Sequence, residues 1–187
     1  MSAVARSPEG HGAGALSDVE LTKMRRRHLR RVLSIEARVY PRPWSASLFL
    51  SEMAQKTTRT YLVARYQGQV VGYAGMMFTG REAHVTNIAV DPDFHEHKIG
   101  TRLLLKIVTE AVARGAETIS LEVRVTNHGA QAMYEKFGFK TVGVRKGYYI
   151  ETHEDAYVMV VEEAGSTEYR LLLGALRDEL EVLTSGF

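Results

Sequence analysis

The chain has 187 residues, no cysteine, 45% apolar and 25% charged residues, and a formal charge of +2. That length suits one domain with a self-sufficient core; the lack of cysteine excludes disulfides, thiolate metal sites and an acyl-cysteine mechanism, and the small net charge is no argument for nucleic-acid binding. No run approaches the roughly 18 apolar residues of a membrane span and the N-terminus lacks a signal-peptide layout, so a cytoplasmic chain without membrane contact is expected.

Residues 1–17 are rich in Ala, Gly, Ser and Pro without periodicity and read as a disordered tail preceding a domain over residues 18–163. Residues 19–25 suit a first strand, and Leu29, Val32, Leu33 and Val39 recur at helical spacing through a helix to about residue 38. Lys23, Arg25, Arg26, Arg27, Arg30 and Arg31 cluster there; they read as the solvated face of an amphipathic helix, with a ribosome or RNA contact as the alternative. Ser45 is a good N-cap for a second helix to about residue 55. Residues 59–66 and 70–78, joined by Gln67-Gly68-Gln69, read as a hairpin, with a further strand over residues 84–90.

Leu103, Leu104, Ile107, Val108, Ala111 and Val112 set a 3.6-residue period over residues 99–114, which Gly115 closes. With a strand over residues 118–125, residues 84–125 become a β-α-β crossover containing a parallel pair. Residues 139–146 and 156–162 complete the sheet as a hairpin. Tyr169, Leu172, Leu173, Leu176 and Leu180 then predict an amphipathic helix in a C-terminal extension over residues 164–187, suited to packing on the domain or on a partner.

Residues 119–139 carry the most chemistry. Along the strand, Leu121, Val123 and Val125 point to one face, and Ser120, Glu122 and Arg124 to the other. Asn127 is a good N-cap, and Tyr134 follows seven residues later, about two turns or roughly 10 Å along the same side of the next helix. Alone, Glu122 suits a solvated pair and Tyr134 a packing residue; combined with Asn127 at this spacing they suit one cleft.

This block, with Gly147-Tyr148-Tyr149, Glu154-Asp155-Ala156-Tyr157, Pro43-Trp44-Ser45 and Asn87-Ile88-Ala89-Val90-Asp91-Pro92, resembles the GNAT-superfamily N-terminal acetyltransferases over roughly residues 19–162. The likeness is to the RimI-type ribosomal-protein alanine N-acetyltransferases and to the Ard-type enzymes. It implies a GNAT α/β fold: a mixed, mostly antiparallel sheet with one splayed parallel pair and helices on both faces. It also implies acetyl transfer from acetyl-CoA to a protein α-amino group, most closely the N-terminal alanine of a small-subunit ribosomal protein, by direct attack in a ternary complex. A broader co-translational enzyme and a non-catalytic acetyl-CoA-binding protein are the alternatives.

The resemblance makes Glu122 the general base and Tyr134 the general acid. It places the pantetheine arm along Ile88, Ala89 and Val90, the pyrophosphate on the turn with Glu96, His97, Lys98, Ile99, Gly100 and Thr101, and coenzyme A also on Asn127. In that turn His95 and Lys98 replace the usual Gln or Arg and Gly; Lys98 offers charge but lacks glycine's freedom for positive φ. Tyr148, Tyr149 and Glu151 are expected on the peptide side, with Glu154 and Asp155, as an acidic rim suited to a basic N-terminal segment. His95-Glu96-His97 has no evident third ligand, so no metal is expected.

Overall fold

A computed structural model describes residues 18–185. The tail expected over residues 1–17 therefore lies outside the described residues. Seven strands form one sheet in the order β1-β2-β3-β4-β5-β7-β6: β1 Glu20–Lys23, β2 Arg59–Tyr66, β3 Gln69–Thr79, β4 Glu82–Val90, β5 Thr118–Arg124, β6 Lys140–Tyr149 and β7 Glu154–Val161. Helices α1 Leu29–Val39 and α2 Ala46–Ala54 cover one face. On the other lie α3 Ile99–Ala113, α4 His128–Lys136 and α5 Thr167–Ser185.

β2 and β3 are buried on both faces, so they read as almost unbroken apolar runs. Leu62, Ala64, Val71, Ala74 and Met76 meet α3, while Tyr61, Val63 and Tyr73 meet α1 and α2. On α3 the apolar period places Leu103, Leu104, Ile107 and Val108 against the sheet. Burying each such side chain contributes roughly 1.5–3 kcal/mol, more than the spread of ordinary helix propensities, at most about 0.7 kcal/mol per residue. Ser45 caps α2 by accepting from Leu48 N at 3.2 Å, and Asn127 caps α4 by accepting from Ala130 N at 3.1 Å.

Two features open the sheet at its centre. First, β4 and β5 pair in parallel only at Glu82↔Thr118, Ala83↔Ile119 and His84↔Ser120. Beyond that point β5 follows β7, antiparallel from Ile119↔Val161 to Arg124↔Ala156. Second, the β3–β4 register shifts between Gly75↔Asn87 and Met76↔Val85, which leaves Thr86 as an extra residue on β4. A bulge reverses the facing of everything after it. Ala83 and Val85 accordingly pack toward α3, but Ala89 packs toward α1.

The helix α5 joins the same core as α3, with Tyr169, Leu173, Leu176 and Leu180 buried. The Tyr169 hydroxyl donates to Phe137 O at 3.0 Å, tying α5 to the end of α4. No helix among the described residues is long and apolar enough to cross a membrane.

Candidate active site

The splay between β4 and β5 is a cleft of about 1000 Å³. Of the site residues expected from sequence, His97, Glu154 and Asp155 do not line it and the others do.

One half of the cleft runs along the end of β4 to the start of α3. Asp91 N donates to Val71 O at 2.8 Å. Antiparallel pairs alternate, so Asp91, Ala89 and Asn87 turn their backbone groups toward β3, and Ile88 and Val90 turn theirs into the cleft. Side chains already meet the two carbonyls there. The Tyr40 hydroxyl donates to Ile88 O at 2.9 Å, and His95 Nε2 lies 3.1 Å from Val90 O. Since a carbonyl only accepts, that ring nitrogen carries the proton. Burial raises the Tyr40 phenol far above its ordinary range, so it stays a donor.

The turn into α3 accommodates Lys98. Glycine is not required: Lys98 takes the left-handed conformation at φ 59°, as does Glu96 at φ 67°. The N-terminus of α3 has no side-chain cap and no acidic residue in its first turn. The N–H groups of Ile99, Gly100 and Thr101 precede the first intrahelical bond, Arg102 N to Lys98 O at 3.0 Å. Unpaired donors at the positive end of a helix dipole suit a phosphate. A Cβ on Gly100 would come no closer than 3.7 Å to Met133 Sδ or Val90 Cγ2, so the backbone there is open.

The other half is built from β5, α4 and the β6–β7 hairpin. Glu122 has 8% of its side chain exposed and sits between His84 Nε2 and Arg145 Nη1, each at 3.1 Å. The His84 bond, with Arg145 beside it, holds the carboxyl below its ordinary range against the opposing effect of burial. His84 Nδ1 meets Ser120 Oγ at 3.0 Å, so the ring is held at both nitrogens. Because Leu121 and Val123 pack toward α3, Glu122 projects from the α1 face. Tyr134 reaches the cleft from the α3 side, 5% exposed, edge-on to Phe139 at 5.9 Å. Burial raises its phenol well above the ordinary range.

The hairpin corrects one expectation. Its carboxylates do not form an acidic rim, because each carries a cation: Glu151 pairs with Arg42 at 3.3 Å, Asp155 with Lys146 at 2.7 Å and Glu154 with Arg124 at 2.5 Å. Hydrogen bonds from Thr126, Arg124 and Thr152 hold Glu154 down at about 2. Tyr148 and Tyr149 stack edge to face at 5.1 Å, and the Arg124 guanidinium lies 3.9 Å above the Tyr149 ring. The basic segment is also partly spent, since Arg31 pairs with the buried Asp91 and donates to Val70 O at 3.2 Å. Lys23, Arg25, Arg26, Arg27 and Arg30 remain exposed.

Sequence reasoning missed His84, Arg145, Tyr40, Glu36 and Asn87. Glu36 left a signal, being an acid inside the apolar stripe of Leu29, Val32 and Ile35 on α1. It is 2% exposed, accepts from Trp44 N at 3.0 Å and from the Tyr73 hydroxyl, and burial raises it to about 7.

A sheet that parts at its centre to expose one strand edge beside a helix N-terminus is the architecture of an acyltransferase class of fold. The sequence profile of the Acetyltransferase (GNAT) family matches residues 29–139, and the chain belongs to that family, within its RimI-type branch. "N-alpha-acetyltransferase RimI" of Mycobacterium tuberculosis is 37% identical over 147 residues, covering 75% of this chain and 90% of its own. "[Ribosomal protein bS18]-alanine N-acetyltransferase" of Escherichia coli K12 is 36% identical over 129 residues, covering 68% and 86%. The crystal structure of the Escherichia coli ribosomal-protein-S18-alanine N-acetyltransferase superposes with a TM-score of 0.72 at 31% identity, over 80% of this chain and 97% of that one.

Proposed function

We propose that the chain transfers acetyl from acetyl-CoA to the N-terminal α-amino group of a protein, with the alanine of ribosomal protein bS18 as its acceptor. The observation that carries this reading is the placement of Glu122 and Tyr134 on opposite faces of one cleft, beside the backbone edge of Ile88 and Val90. The Escherichia coli enzyme named above for that reaction supports the choice of acceptor.

In this reading Ile88 and Val90 align the pantetheine arm, and the first turn of α3 with Lys98 and Asn127 holds the pyrophosphate. An α-amino group, with pKa about 7.7–8.0, is substantially neutral near pH 7, whereas a lysine amine at about 10.4 is not. It can therefore attack without prior deprotonation by a strong base. Once the C–N bond forms, the nitrogen becomes far more acidic. Glu122, held ionised by His84 and Arg145, then takes its proton directly or through water. The C–S bond breaks as the intermediate collapses, and Tyr134 donates to the departing thiolate. A backbone N–H at Val90 suits the oxyanion.

Incubating acetyl-CoA with a peptide beginning Ala-Arg should give N-terminal acetylation by tandem mass spectrometry. The same peptide with a blocked N-terminus and a free lysine should remain unmodified. Acetyl on lysine, or on a small amine in preference to both, overturns the reading. The paired carboxylates of the hairpin favour a second reading, a broader N-terminal acetyltransferase, because they remove the net charge that would select a basic second residue. Replacing Arg by Leu at position two of the peptide distinguishes them: the narrow enzyme loses turnover and the broad one keeps it.

A further inference from the structure

The Nδ2 atom of Asn87 is buried and has no hydrogen-bond partner among the described residues. Leaving such a donor unpaired is destabilising, and buried polar groups are paired in most proteins. A chain of contacts sets which way the amide faces. Glu52 Oε2 accepts from Arg59 Nε at 2.7 Å and from the Tyr61 hydroxyl at 3.0 Å. With the Tyr61 proton spent on Glu52, the Thr86 hydroxyl donates to Asn87 Oδ1 at 3.2 Å. The amide nitrogen is left without a partner.

The sequence makes room for this side chain. A Cβ at Gly75 would lie 2.5 Å from Asn87 Oδ1, 2.3 Å from Tyr61 Cε1 and 2.7 Å from Thr86 Oγ1, so only glycine lets the three lie across β3. The bulge at Thr86 turns Asn87 to the α1 face, where it lines the cleft with Glu36, Tyr40 and Trp44. Glu122 projects from that same face. The donor therefore belongs to the acceptor side, apart from the backbone edge of Ile88 and Val90.

Resting on the function proposed above, we infer that Asn87 Nδ2 donates to the carbonyl oxygen of the acceptor's first residue and so selects α-amines. Every peptide N-terminus carries that carbonyl two bonds from its amine. A lysine ε-amine carries none at that distance. Asn87 thus orients the incoming chain and discriminates against side-chain amines, adding geometry to the selection already made by amine pKa.

The test compares the Ala-Arg peptide with its thioamide at the first carbonyl, whose sulfur is a weak acceptor, on the parent chain, Asn87→Ala and Asn87→Asp. Loss of one neutral hydrogen bond should raise the peptide KM of Asn87→Ala roughly five- to tenfold. Its kcat and its KM for acetyl-CoA should stay within about twofold of the parent. The thioamide should cost the parent a comparable factor and Asn87→Ala nothing further. Asn87→Asp keeps the size and the Thr86 contact but lacks the donor, so it should lose at least as much, which separates recognition from packing. A thioamide penalty undiminished in Asn87→Ala, or a fall in kcat at saturating peptide with KM unchanged, overturns the inference. A parent chain that acetylates neither peptide overturns the proposed function as well.

Discussion

Glu122 and Tyr134 are perturbed in opposite directions, and both shifts preserve the form each proposed role needs. The His84 hydrogen bond, with the Arg145 guanidinium beside it, keeps Glu122 ionised, and burial keeps Tyr134 protonated. Neither side chain is a strong acid or base in the resting cleft, which suits a reaction whose nitrogen becomes acidic, and whose sulfur becomes basic, only after attack. Tyr134→Phe removes the hydroxyl while keeping the ring against Phe139. General acid catalysis typically contributes about 100-fold or more, so kcat should fall by at least that factor. Acetyl-CoA affinity by calorimetry and the melting temperature should hardly change. Turnover at the parent rate would reduce Tyr134 to a packing residue.

At the scale of elements, the N-terminus of α3 combines a backbone cradle with one exposed cation. Because Lys98 already takes φ 59°, glycine's freedom is not what limits this turn, and the contribution left to the side chain is its charge. Lys98→Gly should therefore weaken acetyl-CoA binding by about 1.5 kcal/mol, or roughly tenfold, the low end for a hydrogen bond to a charged group. Thermal stability should hold or rise, since a non-glycine residue in this conformation costs about 1–2 kcal/mol. Tighter binding by calorimetry would show that backbone approach was limiting after all. The elements themselves were legible: the period on α3, the cap at Ser45 and the alternation on β5 each follow from local spacing. What stayed hidden depends on partners distant in sequence. His84 reaches Glu122 only through the parallel register His84↔Ser120. The hairpin acids looked like a charged rim because Arg42 and Arg124 lie far from them along the chain. The bulge at Thr86 is a backbone irregularity without a residue signature, so the facing of Asn87 could not be read.

Across the whole molecule the sheet couples the cleft to both cores. Phe137 and Tyr134 share the α3-side core with α5, while Glu36 links the other core to the cleft wall through Tyr73 and the backbone of Trp44. Glu36 makes stability depend on pH in a distinctive direction. Its folded value of about 7 lies above the ordinary carboxyl value of 4.5, so the folded state holds the proton more tightly than the unfolded chain does. The stabilisation is complete below about pH 4.5 and is lost as pH rises through 7, to a total of roughly 3 kcal/mol at 1.36 kcal/mol per pH unit. Glu122 and Glu154, whose values are depressed, act in the opposite sense and lose their contribution toward low pH. Comparing parent with variant cancels them. Glu36→Gln keeps an acceptor for Trp44 N but cannot ionise, so urea midpoints between pH 5 and 8 should fall less steeply for the variant than for the parent. The gap should open between pH 5 and 7 and then level off. Parallel curves across that range would mean that Glu36 is ionised in the folded state, with its charge stabilised by the Tyr73 hydroxyl and the Trp44 N–H.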